Sequence, residues 1–252
     1  MYIFNSDIDN TLIFSYKHDI GPQKVNIELY KNREISFVTE YTYNLLSTVI
    51  EKTFFVPATT RSIEQYSRID WGVRAPEYAL VCNGGVLLRK GIEDESWYSR
   101  SLEIAAPAEA ELNKAWYFLE GEPRRNFELR FIKNLFIFTK CIDSIKVIEE
   151  LKKLLDNSIV DIFNNNEKVY VIPKGLNKGS ALLRFRDLYK KTLKIIAAGD
   201  SEFDISMSRV CDIFLAPCGS QAIFGNFENI VFMPGAGVFS DELLDYVIKI
   251  VE

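Results

Sequence analysis

The chain has 252 residues, 48% of them apolar and 26% charged, with 13 glycines and 8 prolines. That is enough material for one large or two coupled cores, and it excludes a disordered, collagen-like or solenoid chain. A balance of 30 basic against 35 acidic residues gives a net charge of −5, so no global positive field exists to draw in a polyphosphate, and nucleic acid is disfavoured as a partner.

Taken in chain order, short β-rich runs that end in small or polar residues alternate with helical stretches, the pattern of a parallel α/β sheet. Tyr2 to Ser6 reads as a strand that runs straight into Asp7-Ile8-Asp9-Asn10-Thr11. A connection from about 13 to 52 follows, with helical spacing in its second part, Thr39 to Glu51. Thr53 to Pro57 is the next strand; it turns through Ala58-Thr59-Thr60-Arg61-Ser62 into a short helix at Ser62 to Trp71. Tyr78 to Cys82 is another strand.

The middle of the chain has a different rhythm. Val86 to Lys90 and a stretch around Trp97 read as paired strands, followed by a helix near Pro107 to Glu120. Phe127 to Phe131 and Leu135 to Lys140 form strands around Lys133-Asn134. A helix from Asp143 to Leu155 precedes a hairpin of Ile159 to Phe163 and Lys168 to Pro173 around Asn164-Asn165-Asn166. Antiparallel hairpins inserted between two βα halves predict a second module at 86–175, with hinges near Asn83-Gly84-Gly85 and Pro173-Lys174-Gly175. The first module then comprises 1–85 and 176–252. Its second half holds a helix at Ser180 to Lys190 and strands at Leu193 to Ala198, Asp212 to Ala216 and Asn229 to Met233. Met233-Pro234-Gly235-Ala236-Gly237 lacks G-K-[ST] and reads as a turn after the last strand.

No run reaches the roughly 18 apolar residues needed to span a bilayer, and the opening Met-Tyr-Ile-Phe-Asn-Ser-Asp has no basic or apolar leader, so the expectation is a cytoplasmic protein with no membrane partner. The cysteines, Cys82, Cys141, Cys211 and Cys218, are dispersed and read as buried thiols. The single histidine, His18, excludes His-rich zinc sites and H-E-x-x-H, and its polar loop points to solvent exposure. Chemistry must therefore run on carboxylates, hydroxyls or lysine.

Residues two apart in an extended strand point the same way, so Asp7 and Asp9 emerge together at a strand's carboxyl end, where ligands bind in open α/β sheets. Two such charges about 4 Å apart repel by roughly 4 kcal/mol at an effective dielectric near 20, so a cation must compensate. A later strand ends in Gly199-Asp200-Ser201-Glu202-Phe203-Asp204; in a doubly wound sheet it lies beside the first. Four carboxylates converging without histidine describe a hard, oxygen-ligated cation, and Mg²⁺ that keeps water and phosphate oxygens fits best. Thr59 and the free N–H groups of its turn suit phosphate oxygens. Lys178, at a helix start in Asn177-Lys178-Gly179-Ser180, supplies a counter-charge.

Four ordered motifs carry a resemblance: Asp7-x-Asp9-x-Thr11, Thr59 in Ala-Thr-Thr-Arg, Lys178 in Asn-Lys-Gly, and Gly199-Asp200-Ser201-x-x-Asp204. Over essentially its whole length the chain resembles a haloacid dehalogenase superfamily phosphatase of the Cof-type, sucrose-phosphate phosphatase-like branch. The fold this implies is a Rossmann-like parallel-sheet α/β core with an inserted α/β cap of the C2B type. The resemblance makes Asp7 the nucleophile that forms an aspartyl-phosphate, and Asp9 the acid and then the base. Thr59, Thr60 and Lys178 would hold the transferring phosphate. Mg²⁺ would rest on Asp7, the backbone carbonyl of Asp9 and Asp200, with Asp204 a direct or water-mediated partner.

The implied substrate is a small phosphorylated metabolite of the sugar-phosphate kind, with selectivity set by the cap. A phosphotransferase or phosphomutase using the same aspartyl-phosphate, and a non-catalytic phosphoacceptor or binding module, are the rival readings.

Three departures stand out: Asn10 and Thr60 replace frequent glycines, and Phe203 replaces a common asparagine before Asp204. Asparagine tolerates φ > 0, so the first turn is expected to survive. Arg61 reads as a structural ion pair, and Arg124, Arg125 and Arg130 as a solvated face. The aromatic residues Trp97, Trp116 and Tyr117 read as core.

Overall fold

Ile3 and Phe4 are buried side by side, and so are Asn5 and Ser6, so β1 (Tyr2–Ser6) is covered on both faces, as a central parallel strand must be. The computed structural model describes residues 2–72, 74–189 and 193–252, and it divides into two compact units, Met1–Asp94 with Lys178–Glu252, and Glu95–Asn177.

In the first unit, β1 is followed by a small antiparallel excursion of β2 (Phe14–Ser15), β3 (Lys24–Tyr30) and β4 (Arg33–Thr39). Its β3–β4 turn is Lys31-Asn32, both with positive φ, the geometry that suits a two-residue hairpin. Helix α1 (Glu40–Lys52) starts where the Thr39 side chain accepts a hydrogen bond from the Thr42 N–H. Strand β5 (Phe54–Pro57), the single-turn helix α2 (Ile63–Tyr66) and the antiparallel strands β6 (Tyr78–Val81), β7 (Val86–Arg89) and β8 (Ile92–Glu93) complete this half.

The second unit packs α3 (Glu95–Ala105), α4 (Glu109–Glu120) and α5 (Ser144–Leu154) with strands β9 (Arg130–Ile132), β10 (Phe136–Lys140), β11 (Val160–Asn165) and β12 (Lys168–Pro173). The strands form one antiparallel sheet in the order β11-β12-β10-β9. Leu112, Leu119, Ile137, Val147, Leu151 and Val171 bury together in its core.

The chain returns to the first unit with α6 (Lys178–Asp187), β13 (Lys194–Ala198), α7 (Ile205–Ser208), β14 (Ile213–Ala216), α8 (Gln221–Phe224), β15 (Ile230–Phe232) and α9 (Phe239–Val251). The five parallel strands run β15-β14-β13-β1-β5. Because the chain leaves β1 for β5 on one side and later returns to β13 on the other, the strand order reverses around β1. The crevice beyond the carboxyl ends of these strands is where such sheets hold ligands. The register places Ser6 beside both Ala198 and Pro57, so the loops that follow β1, β5 and β13 leave the sheet at one level.

Several expectations need correction. The stretch around Trp97 is helix α3, with Trp97 buried on its inner face; its neighbours Glu95 and Ser96 begin a helix rather than a hairpin arm. Val86–Arg89 pairs with Tyr78–Val81 and belongs to the first unit, so the inserted unit starts at Glu95, not at residue 86. The connection before Thr39 carries β2, β3 and β4. Only Ile63–Tyr66 of the expected helix at Ser62 to Trp71 is helical, and in the expected strand at Phe127 to Phe131 pairing begins only at Arg130. Lys190, expected to end a helix, lies outside the described residues.

Tyr117 is 74% exposed rather than core, and Cys218 is exposed rather than buried, while Cys82 and Cys141 are buried, Cys211 is half-buried, and none of the four is in a disulfide. His18 is exposed. The arginines of the inserted unit are not a bare solvated face: Arg124 pairs with Glu122 and Glu150, Arg130 pairs with Glu128, and Arg125 donates to the carbonyls of Leu119 and Phe127. The Gly235-Ala236-Gly237 turn is held by Glu242, whose carboxylate accepts all three N–H groups. Among the described residues no helix is long and apolar enough to cross a membrane.

Candidate active site

The end of β1 is a tight turn. The N–H groups of Leu12 and Ile13 both donate to the Ile8 carbonyl, and Asn10 sits at φ 60, the left-handed conformation that its side chain tolerates. Asp7, Asp9 and Thr11 are thereby displayed on this turn. Asp7 is buried: one carboxylate oxygen accepts from Lys178 Nζ at 2.5 Å and the other from Thr11 Oγ1 at 3.3 Å. Thr11 Oγ1 also lies 3.4 Å from Asp200 Oδ1, tying the first strand end to the loop after β13.

Lys178, the first residue of α6, is 1% exposed and bridges Asp7 to Asp204, whose Oδ1 it reaches at 2.6 Å. The other oxygen of Asp204 accepts from the N–H of Asp200, the N–H of Ser201 and the Ser201 hydroxyl, at 3.0–3.1 Å. Asp204 is fully buried, and its four hydrogen bonds fix both the loop that presents Asp200 and the lysine that faces Asp7. Two glycines make this possible. A Cβ on Gly199 would fall 2.3 Å from the Asp204 carboxyl carbon, and one on Gly179 would fall 2.1 Å from the backbone oxygen of Ser206.

Oxygens of Asp7, Asp200 and Asp204 lie within 4.8 Å of one another. Burial, with the charges of Asp204, Asp200 and Asp9 added to it and only partly offset by Lys178, pushes the Asp7 carboxyl well above the usual carboxylate range. Burial and then the Asp204 charge raise Asp200 to about 6. Burial alone would lower the Lys178 ammonium; Asp204 and Asp7 overcome it and hold the group charged. Three acids against one lysine leave negative charge that a divalent cation would neutralise, and oxygen donors are the set Mg²⁺ takes. The residues fit such an ion, with Asp7 and Asp200 the carboxylates available to it, because Asp204 is already committed to its four donors.

Asp9 faces the other way, into a second ion-paired group. Its side chain is 49% exposed, and both its oxygens accept from Arg61, from Nε at 2.9 Å and Nη2 at 2.7 Å. Arg61 Nη1 donates to Glu28 at 2.9 Å, and Glu28 also accepts from Arg68 Nε at 3.0 Å and from the Ser36 hydroxyl at 2.6 Å. Arg61 is thus a structural ion pair, as expected, but one partner is a residue of the candidate site. Thr59 is buried just past β5; its hydroxyl oxygen accepts the Arg61 N–H at 3.1 Å, which leaves its O–H to donate. Thr60 is half-buried in the same turn.

The structure therefore brings Asp7, Lys178, Asp200 and Asp204 into direct contact or within a few ångströms, with Asp9 on the same turn and Thr59 on the adjacent one. Glu28 is the site residue that the sequence reading does not single out. The signal for its strand is present in the alternation Val25, Ile27, Leu29 before Lys31-Asn32.

A model of the haloacid dehalogenase-like hydrolase family matches residues 94–216. Phosphoglycolate phosphatase 2 of Saccharolobus solfataricus is 34% identical over 85 residues, which are 34% of this chain and 36% of that protein; the match thus spans about a third of the relative's length. Among solved structures, the sucrose-phosphatase of Synechocystis sp. PCC6803 superposes with a TM-score of 0.69 at 15% identity, covering 98% of this chain and 97% of that one. A haloacid dehalogenase subclass IIB sugar phosphatase superposes at 0.57 and 13% identity, with 99% of each chain covered. These two likenesses establish the fold. The match to the haloacid dehalogenase-like hydrolase family thus covers just under half of the chain, residues 94–216.

Proposed function

We propose that the protein is a Mg²⁺-dependent phosphatase that hydrolyses a small phosphorylated metabolite of the sugar-phosphate type through an aspartyl-phosphate on Asp7. The observation that carries this reading is the Asp7 carboxylate, buried at the end of β1, bonded to Lys178 and within 4.8 Å of Asp200 and Asp204 oxygens. The phosphatase names of the similar proteins support the reaction class.

Asp7 attacks phosphorus, the ester P–O bond breaks, and the departing alkoxide takes a proton from Asp9. Asp9, now ionised, removes a proton from water; the water oxygen bonds to phosphorus, the P–O bond to Asp7 breaks, and inorganic phosphate leaves. Lys178 and the Thr59 hydroxyl stabilise charge on the transferring oxygens, and Lys178 also favours the ionised form of Asp7. Asp7, Asp200 and the Asp9 backbone carbonyl would hold the Mg²⁺, with Asp204 acting behind them. When bound, that ion neutralises charge that builds on the phosphoryl group.

All of these side chains belong to the first unit, so they handle phosphate whatever alcohol it is attached to. We assign selectivity for that alcohol to the inserted unit. The test is phosphate release from a panel of sugar phosphates and phosphorylated carboxylic acids by wild type and Asp7→Asn, with Mg²⁺ and with chelator. Wild-type release that disappears in Asp7→Asn and on chelation supports the reading, whereas equal release by both proteins removes Asp7 as nucleophile.

A further inference from the structure

Strand β3 contains an irregularity that a regular strand would not tolerate. Its register against β4 shifts on both sides of Glu28, so that Ile27 and Glu28 are buried in succession while Leu29 is 57% exposed. Regular alternation would turn one of the two buried neighbours out to solvent; the bulge turns both in. A carboxylate taken out of water this way is costly unless it is paired and hydrogen-bonded. Glu28 has both: Arg61, Arg68 and Ser36 surround it, and Arg61 reaches from it to both oxygens of Asp9.

The fork matters. Arg61 spends Nε and Nη2 on Asp9 and Nη1 on Glu28, so its plane is fixed at one end by a buried residue, and the Asp9 carboxylate is fixed by that plane. A carboxylate that accepts from both arms of a guanidinium is held in one plane, which sets the direction its remaining lone pairs face. We propose that Glu28 and Arg61 are positioning residues for the second half of the reaction, holding Asp9 as the base that directs water at the aspartyl-phosphate. This rests on the phosphatase reading above and adds two residues to it, neither of which needs to touch the substrate.

The test uses p-nitrophenyl phosphate, whose leaving group departs without a proton, on the full-length enzyme with Mg²⁺. In Arg61→Lys the charge remains but the fork is lost; in Glu28→Gln the anchor loses its charge. For both, kcat is expected to fall by about 10- to 100-fold, the scale of a misplaced catalytic group. KM should fall in parallel, leaving kcat/KM within about 3-fold of wild type, because the first transfer is untouched and only the breakdown of the phosphoenzyme is slowed. Rapid mixing should then show a burst of nitrophenolate approaching one equivalent per enzyme.

A loss of kcat/KM equal to that of kcat with no burst, or an unchanged kcat, overturns the proposal while leaving the phosphatase reading intact. If the Glu28 variant does not fold, the Arg61 variant carries the test alone. Nitrophenolate release by Asp7→Asn at the wild-type rate removes the covalent intermediate, and the proposal with it; that failure is separate because it appears in a protein whose Glu28 and Arg61 are intact.

Discussion

The two carboxylates displayed at the end of β1 are each bridged by one cation to a second, buried acid, and the two bridges are built differently. On one side Lys178 joins Asp7 to Asp204, and all three side chains are nine-tenths or more buried. On the other, Arg61 joins Asp9 to Glu28, and the chain of contacts runs from a buried end at Glu28 to a half-exposed one at Asp9. An ammonium is a point charge that neutralises whatever surrounds it; a guanidinium is a planar fork that sets an orientation. The inner bridge therefore acts on charge and the outer one on direction, and the two should respond differently to substitution.

The sharpest break is Asp7→Asn, which leaves the shape of the inner bridge but removes the oxygen to which we assign the attack. Phosphate release should fall by about 10⁴-fold or more, read by a colorimetric assay against wild type. Next is Lys178→Met, which strands two buried carboxylates. Removing one member of a buried ion pair costs about 3–5 kcal/mol, measured as a lower urea midpoint, and phosphate release should drop by about 10²- to 10³-fold. No such stability loss is expected of Arg61→Lys, which keeps a cation between its two acids.

Asp204→Asn comes third. It weakens the hold on Lys178 and on the Asp200 loop without removing a carboxylate assigned to the metal, so the Mg²⁺ concentration for half-maximal activity should rise by about 10- to 100-fold. A complete loss of activity that no Mg²⁺ concentration restores would instead make Asp204 a direct ligand.

A smaller effect concerns pH. The folded Asp200 carboxyl binds its proton near pH 6, well above its affinity in an unfolded chain, and Asp7 is shifted the same way. The stability this contributes is complete below the ordinary carboxylate range and is lost as the pH rises through about 6. Metal-free protein should therefore melt at a higher temperature at about pH 5 than at about pH 7, and saturating Mg²⁺ should reduce or reverse the difference. Smallest of all is Asn10→Ala, where the left-handed conformation costs roughly 1 kcal/mol by denaturant melt, while Asn10→Gly avoids that backbone penalty.

The inner bridge was readable in the amino-acid sequence for a physical reason. Strands buried on both faces appear as short apolar runs, and acids directly after them can only lie at the sheet's carboxyl edge. Asp7, Asp9 and Asp200 are located by that rule, and Lys178 by its helix start. Asn10 at φ 60 agrees with the turn expected of it.

The outer bridge was not readable. Glu28 sits in a strand whose alternation is broken at that residue, so pattern alone assigns it to solvent, and the pairing that turns it inward depends on β4 and on Ile69 across from it. Trp97 misleads for a related reason: an aromatic residue among charged ones suits an edge strand, but burial against its neighbours places it on a helix. The boundary of the inserted unit is shifted likewise, because β7 pairs with β6 before it and β8 just after it, and both belong to the first unit.

The close contact at Gly179 has one more implication. With no methyl group between them, the first turn of α6 rests on the main chain of Ser206, and its N–H bonds the Ser206 hydroxyl at 3.0 Å. Helix and loop are thereby joined as a single block on which the Lys178 ammonium and Asp204 ride together. Thermal motion elsewhere in the unit can then tilt that block as a whole, but cannot easily stretch the spacing between the charges it carries.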